Sequence, residues 1–313
     1  MAKQNTSNLL MIRPIAFGLN KQTVQDNHYQ QLVEGLSNAK AQSQALKEFD
    51  DFVEKLRNAG VDVTVINDTL EPATPDSIFP NNWVSFHETG MVVLYPMYAE
   101  NRRLERREDI LETLKTSGFQ ISEILDYSAH ESDNMFLEGT GSLVLDRANL
   151  IAYACLSLRT DEHLLKDWGQ QLGYEVVSFH ALQDVDGVLL PIYHTNVMMS
   201  VAQELVILCA DSIKDEAERN LVIDSLQKTG KEIILISEVQ KSSFAGNMLQ
   251  VTNEKDERIL VMSTQAFESL NEEQISTIEK TNRILHSSLE TIETLGGGSA
   301  RCMMAEVFLP PFE

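Results

Sequence analysis

Residues 136–180, FLEGTGSLVLDRANLIAYACLSLRTDEHLLKDWGQQLGYEVVSFH, decide how the rest of the chain is read. Two short apolar runs, SLVLD and LIAYACLSL, have the length and composition of strands. A helix-like stretch over 160–173 follows, and then a further strand-like run, EVVSFH. Thr160 and Asp161, with Glu162 close behind, suit an N-terminal cap and first turn, and the Gly of QLGY suits a C-cap. The stretch therefore predicts strand, strand, helix, strand.

The same order recurs on both sides as a pattern, without recurrence of identical residues. Strand-like runs LLMIRP, VDVTVIN, MVVLYP, LVILCA, EIILIS, RILVMS, RILHSS and AEVFLP alternate with helix-like stretches over about 28–59, 100–117, 213–229 and 265–281. NAGV and TSGF again put glycine just past a helix end. After the long first helix, the helix starts are about 50 to 60 residues apart, a weak structural repeat. No Pro/Ser-rich linker or low-complexity segment divides the chain, so residues 1–313 are expected to form one domain of about five α/β units.

The bulk numbers exclude several classes of function. With 25 basic and 47 acidic residues the net charge is −22, which repels phosphate backbones and anionic membranes, so no nucleic-acid partner is expected. The basic cluster NRRLERRED (101–109) is interleaved with acids and reads as a solvated helix face. Apolar runs are too short to cross a bilayer, and the N-terminus lacks a signal-peptide layout, so a cytoplasmic protein without membrane association is expected. The three cysteines, at 155, 209 and 302, form neither a zinc pattern nor a disulfide framework. Cys155 and Cys209 lie in apolar strand-like runs and read as core residues. Cys302, behind the triple glycine 296–298 and beside Arg301, reads as a partly exposed thiol near positive charge.

Four polar islands interrupt the apolar pattern: PDSIFPNNWVSFHE (75–88), ESDNMFLEGTGSLVLD (131–146), PIYHTNVMMS (191–200) and GGGSARC (296–302). Each joins or flanks a strand, where a scaffold commonly holds binding loops. His194 has no second histidine at a metal-ligand spacing, so no metal site is expected. An imidazole can instead couple to a thiol and lower its pKa. Glu138, between MFL and GTG, would be costly to bury unpaired; it is either a substrate ligand or a capped carboxylate. Asp133 and Asn134 read as turn formers. Asn81 and Asn82 either make a turn or present an amide to a planar polar group. The triple glycine lacks the features of a dinucleotide or phosphate loop.

Taken together, FLEGTGSLVLDR, LSLRTDEH, YHTNVMMS and LGGGSARCMMAEVFLP resemble the guanidine-modifying superfamily, the pentein fold, over residues from about 9 to 310. Arginine deiminase, dimethylarginine dimethylaminohydrolase and the amidinotransferases belong to it, and the nearest likeness is to its citrulline-utilisation hydrolase branch. The resemblance implies a five-bladed α/β propeller of ββαβ units around a central site, a small amino-acid substrate, and neither metal nor organic cofactor. It implies that Cys302 attacks the planar carbon, that His194 protonates the departing amine and then activates water, and that Glu138 binds substrate nitrogens. Glycines such as Gly298 would let the backbone bring Cys302 against a flat substrate. Arg159 resembles a family arginine that holds a substrate carboxylate, and either Arg102 or Arg103 resembles a second.

This chain departs from the arginine deiminases at two carboxylates. They have Asp in place of Asn82, and His-x-Asp in place of His194-Thr195-Asn196. Amides suit a neutral ureido group better than a guanidinium cation, which points to citrulline hydrolysed to ornithine, ammonia and carbon dioxide. Succinylarginine dihydrolase shares the His-Thr-Asn and triple-Gly motifs, so a deiminase or dihydrolase acting on an arginine derivative stays open, as does amidino transfer. A non-catalytic propeller would have no need to keep Cys302, His194 and Glu138 in their motifs. A homodimer would be unremarkable.

Overall fold

A computed structural model describes residues 2–24, 26–33, 35 and 37–312. Its strands form five three-stranded sheets and one two-stranded hairpin. In each three-stranded sheet a short first strand runs antiparallel to the second, and the third lies parallel to the second after a helical crossover. A parallel neighbour demands such a crossover, because a tight turn can only reverse the chain.

The stretch 136–180 forms the sheet expected of it, with strands Val144–Asp146, Ile151–Cys155 and Glu175–Phe179 around helix Glu162–Leu172. Asp161 caps that helix by accepting from the backbone N–H groups of His163 and Leu164, and Gly173 ends it at φ 74°. Val84–Phe86, Met91–Leu94 and Glu123–Asp126 make the preceding sheet. Met199–Val201, Leu205–Leu208 and Glu232–Leu235 make the following one, and Leu249–Thr252, Arg258–Ser263 and Arg283–Ser287 the next. The remaining sheet joins the two ends of the chain. Ala305–Glu306 pairs antiparallel with Asn8–Arg13, which pairs parallel with Asp62–Asn67.

Burial grades across each sheet. First and second strands such as Met199–Val201 and Leu205–Leu208 are buried throughout, whereas third strands such as Glu123–Asp126 are largely exposed. First strands also touch one another: Ala305–Glu306 lies against Val84–Phe86, and Met199–Val201 against both Val144–Asp146 and Leu249–Thr252. The short first strands are therefore innermost, and the segments leading into them converge.

Three expected helices differ. The first starts at Asn38, capped by Ser37, because side chains upstream of it are bonded elsewhere: Asn27 and Gln30 donate to the carbonyls of Gly296 and Gly297. The stretch 100–117 breaks into a 3-10 turn, Glu100–Glu105, and helix Glu108–Thr116. Arg102 lies buried within that turn, so the cluster is not simply a solvated face. Residues 265–281 split into Thr264–Ser269 and Glu272–Glu279, the second opened by an Asn271–Gln274 capping box. Among the described residues no helix is long and apolar enough to cross a membrane.

Candidate active site

The turns that lead into the first strands bring the polar islands together. Pro80–Asn82 precedes Val84–Phe86, Glu138 and Gly139–Ser142 precede Val144–Asp146, and His194 with Thr195–Val197 precedes Met199–Val201. Helix Glu290–Gly296 ends at Gly297, in the left-handed region at φ 64°, and the chain then reaches Cys302 just before Ala305–Glu306. The turn Gly139–Ser142 packs on both Pro80–Asn82 and Thr195–Val197.

Glu138 is completely buried, and protein groups bond both of its oxygens. His194 Nε2 lies 2.8 Å from its Oε2, Arg159 Nη1 donates to the same oxygen at 3.4 Å, and the Tyr98 backbone N–H donates to Oε1 at 2.9 Å. Burial works against the charge, yet Arg159 and then His194 hold this carboxyl well below the usual carboxylate range. Burial also lowers the His194 pKa, with Glu138 pulling it the other way. The imidazole is therefore neutral near pH 7. With Nε2–H donating to Glu138, Nδ1 is the nitrogen left to accept a proton.

Cys302 is 6% exposed, which corrects the expectation of a partly exposed thiol. Its Sγ accepts from Asn196 Nδ2 at 3.5 Å and Asn247 Nδ2 at 3.3 Å. The Arg301 guanidinium donates to the Met304 carbonyl and to Glu306, and it stays within electrostatic reach of the thiol. A β-carbon on Gly298 would lie 2.9 Å from the Phe79 ring and 3.3 Å from Cys302 Cβ, so glycine there permits close packing beside the thiol.

Asn82 is fixed by Arg102, whose Nη1 donates to Asn82 Oδ1 at 2.9 Å. The amide therefore presents Nδ2, which has no partner among the described residues. A β-carbon on Gly141 would lie 2.4 Å from that Nδ2 and 2.8 Å from His194 Nδ1, so both nitrogens face one small space. Unpartnered buried atoms of Asp76, Asn81 and Asn196 belong to the same group of turns and their supports. Four orphan polar atoms would each cost about 1–3 kcal/mol unless something satisfied them.

The two basic candidates separate cleanly. Arg102 is buried, bound bidentate by Glu105, and reaches the Asn82 amide and the Phe79 carbonyl. Arg103 is excluded from this group. On a 3-10 turn adjacent side chains diverge, and it donates to the carbonyls of Met97 and Tyr98 and faces Glu131. Arg159 joins the group through Glu138, but its Nε and Nη2 hold both oxygens of Asp26, at 2.6 and 2.7 Å. Asn247 and Asp26 were not anticipated from the sequence. Asn247 sits in FAGNMLQ, before Leu249–Thr252, where the island spacing leaves a gap between 200 and 296. Asp26 lies two residues ahead of the expected first helix and outside all four polar islands.

No cluster of three or more His, Cys, Asp or Glu able to hold a metal occurs among the described residues. Cys155 and Cys209 are buried in one apolar cluster, as expected of them.

Comparison with known proteins gives this group of residues a context. The family described as N,N dimethylarginine dimethylhydrolase, eukaryotic, matches residues 13–309. The chain belongs to this family. The family is one of pentein-type guanidine-modifying enzymes, C–N hydrolases with a cysteine nucleophile. Among solved structures, the N-terminal domain of ArgZ covalently bound to a reaction intermediate is similar at 18% identity and a TM-score of 0.71, covering 97% of this chain and 99% of that one. Full-length ArgZ, an arginine dihydrolase from the ornithine–ammonia cycle in cyanobacteria, is also 18% identical, with a TM-score of 0.73. This chain spans 41% of its length. The Pseudomonas aeruginosa dimethylarginine hydrolase, a cysteine-to-serine mutant complexed with citrulline, is 15% identical at a TM-score of 0.64, covering 97% and 100% of the two chains. At these identities the likeness carries the fold, a mixed α/β arrangement matching pentein structures. No curated protein matches the sequence.

Proposed function

We propose that this dimethylarginine dimethylhydrolase-family chain hydrolyses the ureido group of a citrulline-like amino acid, with Cys302 as nucleophile, His194 as proton carrier and Glu138 as the group that holds His194 and Arg159. The observation that carries the substrate choice is the orientation of Asn82. Arg102 takes its carbonyl oxygen, so the amide offers an N–H donor. A donor suits a ureido oxygen, whereas a guanidinium has only N–H groups to offer in return. Asn196 and Asn247 meet the thiol with further N–H donors, the thiol can donate in turn to Asn247 Oδ1, and among the described residues no carboxylate is bonded to it.

The reaction balances without a cofactor. The Cys302 thiol gives its proton to His194 Nδ1 as sulfur adds to the ureido carbon. Collapse, with His194 returning the proton, expels an amine and leaves a thiocarbamate on sulfur. Water then cleaves the C–S bond, freeing the Cys302 thiol and a carbamic acid whose remaining C–N bond breaks to give carbon dioxide and the second amine, so that overall citrulline and one water yield ornithine, ammonia and carbon dioxide. The five sheets would close into a five-bladed propeller around these turns, as one domain spanning 1–313. The expected cytoplasmic location and homodimer belong to the same proposal and rest on the sequence alone.

A second reading, an arginine or N-substituted arginine as substrate, is favoured by the unpartnered carboxylate oxygen of buried Asp76. Ammonia and ornithine release should be measured on citrulline, arginine, N-succinylarginine and dimethylarginine side by side. Citrulline is expected to give the highest kcat/KM. Equal or faster turnover of an arginine compound would overturn the substrate assignment and leave the thiol chemistry standing.

Asp26 gives a further expected result. Its carboxylate occupies the fork of Arg159 that an amino-acid carboxylate would need. Asp26→Asn should lower KM by roughly three- to tenfold, about 1 kcal/mol of affinity, with kcat little changed. A raised KM would mean that Asp26 itself binds substrate.

A further inference from the structure

The first strands carry the polar turns at the ends where they begin; at the ends where they finish lies a partly open cavity of about 190 Å³. His87 and Arg147 follow directly on Phe86 and Asp146, and Phe308 follows on Glu306 by two residues. Met91, Leu150, Leu172, Tyr174 and Phe308 make the cavity mostly apolar, and Arg147 lines it.

Arg147 is the unusual member. It is 5% exposed, and its guanidinium stacks over the Phe308 ring at 4.1 Å. Among the described residues no carboxylate or backbone carbonyl accepts a hydrogen bond from it. The nearest carboxylate oxygen, Glu306 Oε1, is 3.9 Å from Nε, and Glu306 Oε2 is already bound by Arg301 at 2.9 Å. Two nearly buried guanidinium groups therefore share one carboxylate, leaving a buried surplus of positive charge. The Tyr174 hydroxyl takes one of the Arg147 donors but carries no charge to offset it. The neighbouring Asp146 is occupied by Asn149 and Lys231. Glu88 stands at the exposed rim and accepts from the Lys3 backbone N–H. A buried arginine with unused donors in an apolar cavity fits a planar anion attached to an apolar body.

We propose that this cavity is a second ligand site, separate from Cys302, which takes a small organic carboxylate with an apolar or aromatic body. The carboxylate would sit on Arg147 and the body against Phe308, Tyr174, Leu150 and Leu172. Nothing in this inference depends on the substrate of the Cys302 site.

Phenylacetate is the probe, titrated calorimetrically into the full chain, with 2-phenylethanol and inorganic phosphate as comparators. Wild-type protein is expected to bind phenylacetate saturably, and the neutral alcohol and phosphate about tenfold or more weakly. Arg147→Met should weaken phenylacetate binding by about tenfold or more, as for a lost hydrogen bond to a charged group. Leu172→Trp, which fills the cavity and keeps Arg147, should do the same, so the test survives misfolding of the arginine variant. Absence of saturable binding, equal affinity for the alcohol or phosphate, or full affinity in either folded variant would overturn the proposal.

Discussion

Replacement of Cys302 by alanine is expected to lower kcat by about 10⁴-fold or more while substrate still binds. The sulfur accepts from two amides that are themselves tied down: Asn196 Nδ2 also reaches the Thr140 carbonyl, and Asn247 Nδ2 also donates to the Asn196 carbonyl. The Arg301 backbone N–H in turn donates to Asn247 Oδ1. Removing one sulfur atom leaves this frame standing, so the alanine variant should fold and keep its affinity for substrate. Steady-state turnover paired with equilibrium substrate binding separates the two effects. A variant with wild-type kcat would remove Cys302 from the chemistry.

Glu138→Gln should damage both turnover and stability. The carboxylate bonds both His194 and Arg159, inside a site with no exposed surface at Glu138. Glutamine keeps the shape but withdraws the charge, leaving Arg159 with Asp26 alone and His194 Nε2 without an anionic acceptor. A fall in kcat of about 10²- to 10⁴-fold is expected from loss of the oriented imidazole. Breaking the buried pairing should also cost about 3 kcal/mol of folding stability. The acid dependence has a definite sign. Because the Glu138 pKa is depressed by folding, its contribution is complete above the unfolded value of about 4.3 and fades as pH falls toward the depressed one. Denaturant midpoints at pH 7 and in that acid range should therefore converge between wild type and variant as pH falls. An unchanged kcat/KM would put Glu138 outside the working site.

The parts of this architecture that the sequence displays are those where one physical cause dominates. Second strands such as Leu205–Leu208 are buried on every residue, so they stand out as pure apolar runs. Amphipathic, capped helices such as Glu162–Leu172 are equally plain. Two first strands, Val84–Phe86 and Met199–Val201, are hidden because they are three residues long and merge with the polar islands before them, whereas Val144–Asp146 and Ala305–Glu306 show within SLVLD and AEVFLP. Hairpin Leu182–Val185 and Val188–Pro191 went unseen because its strands are four residues long and five of the eight residues are exposed or polar. At the site, Cys302, His194, Glu138, Asn82 and Asn196 were legible as residue types in unusual company. Their bonding was not, since burial of the thiol and the Asp26–Arg159 pair arises between segments distant in sequence. Arg102 and Arg103 could be told apart only once the 3-10 turn set their opposite directions. Asn247 had a signal after all, the missing island between 200 and 296.

The measurement that tests the central claim most directly follows the reacting carbon. Citrulline labelled at the ureido carbon is mixed with wild-type protein, turnover is quenched with acid within the first cycle, and peptides are mapped for label. Transient labelling of the peptide that contains Cys302, decaying as labelled carbon dioxide appears, is the predicted result. Labelled carbon dioxide released with no label ever on protein, or label carried by a peptide without Cys302, would contradict the account.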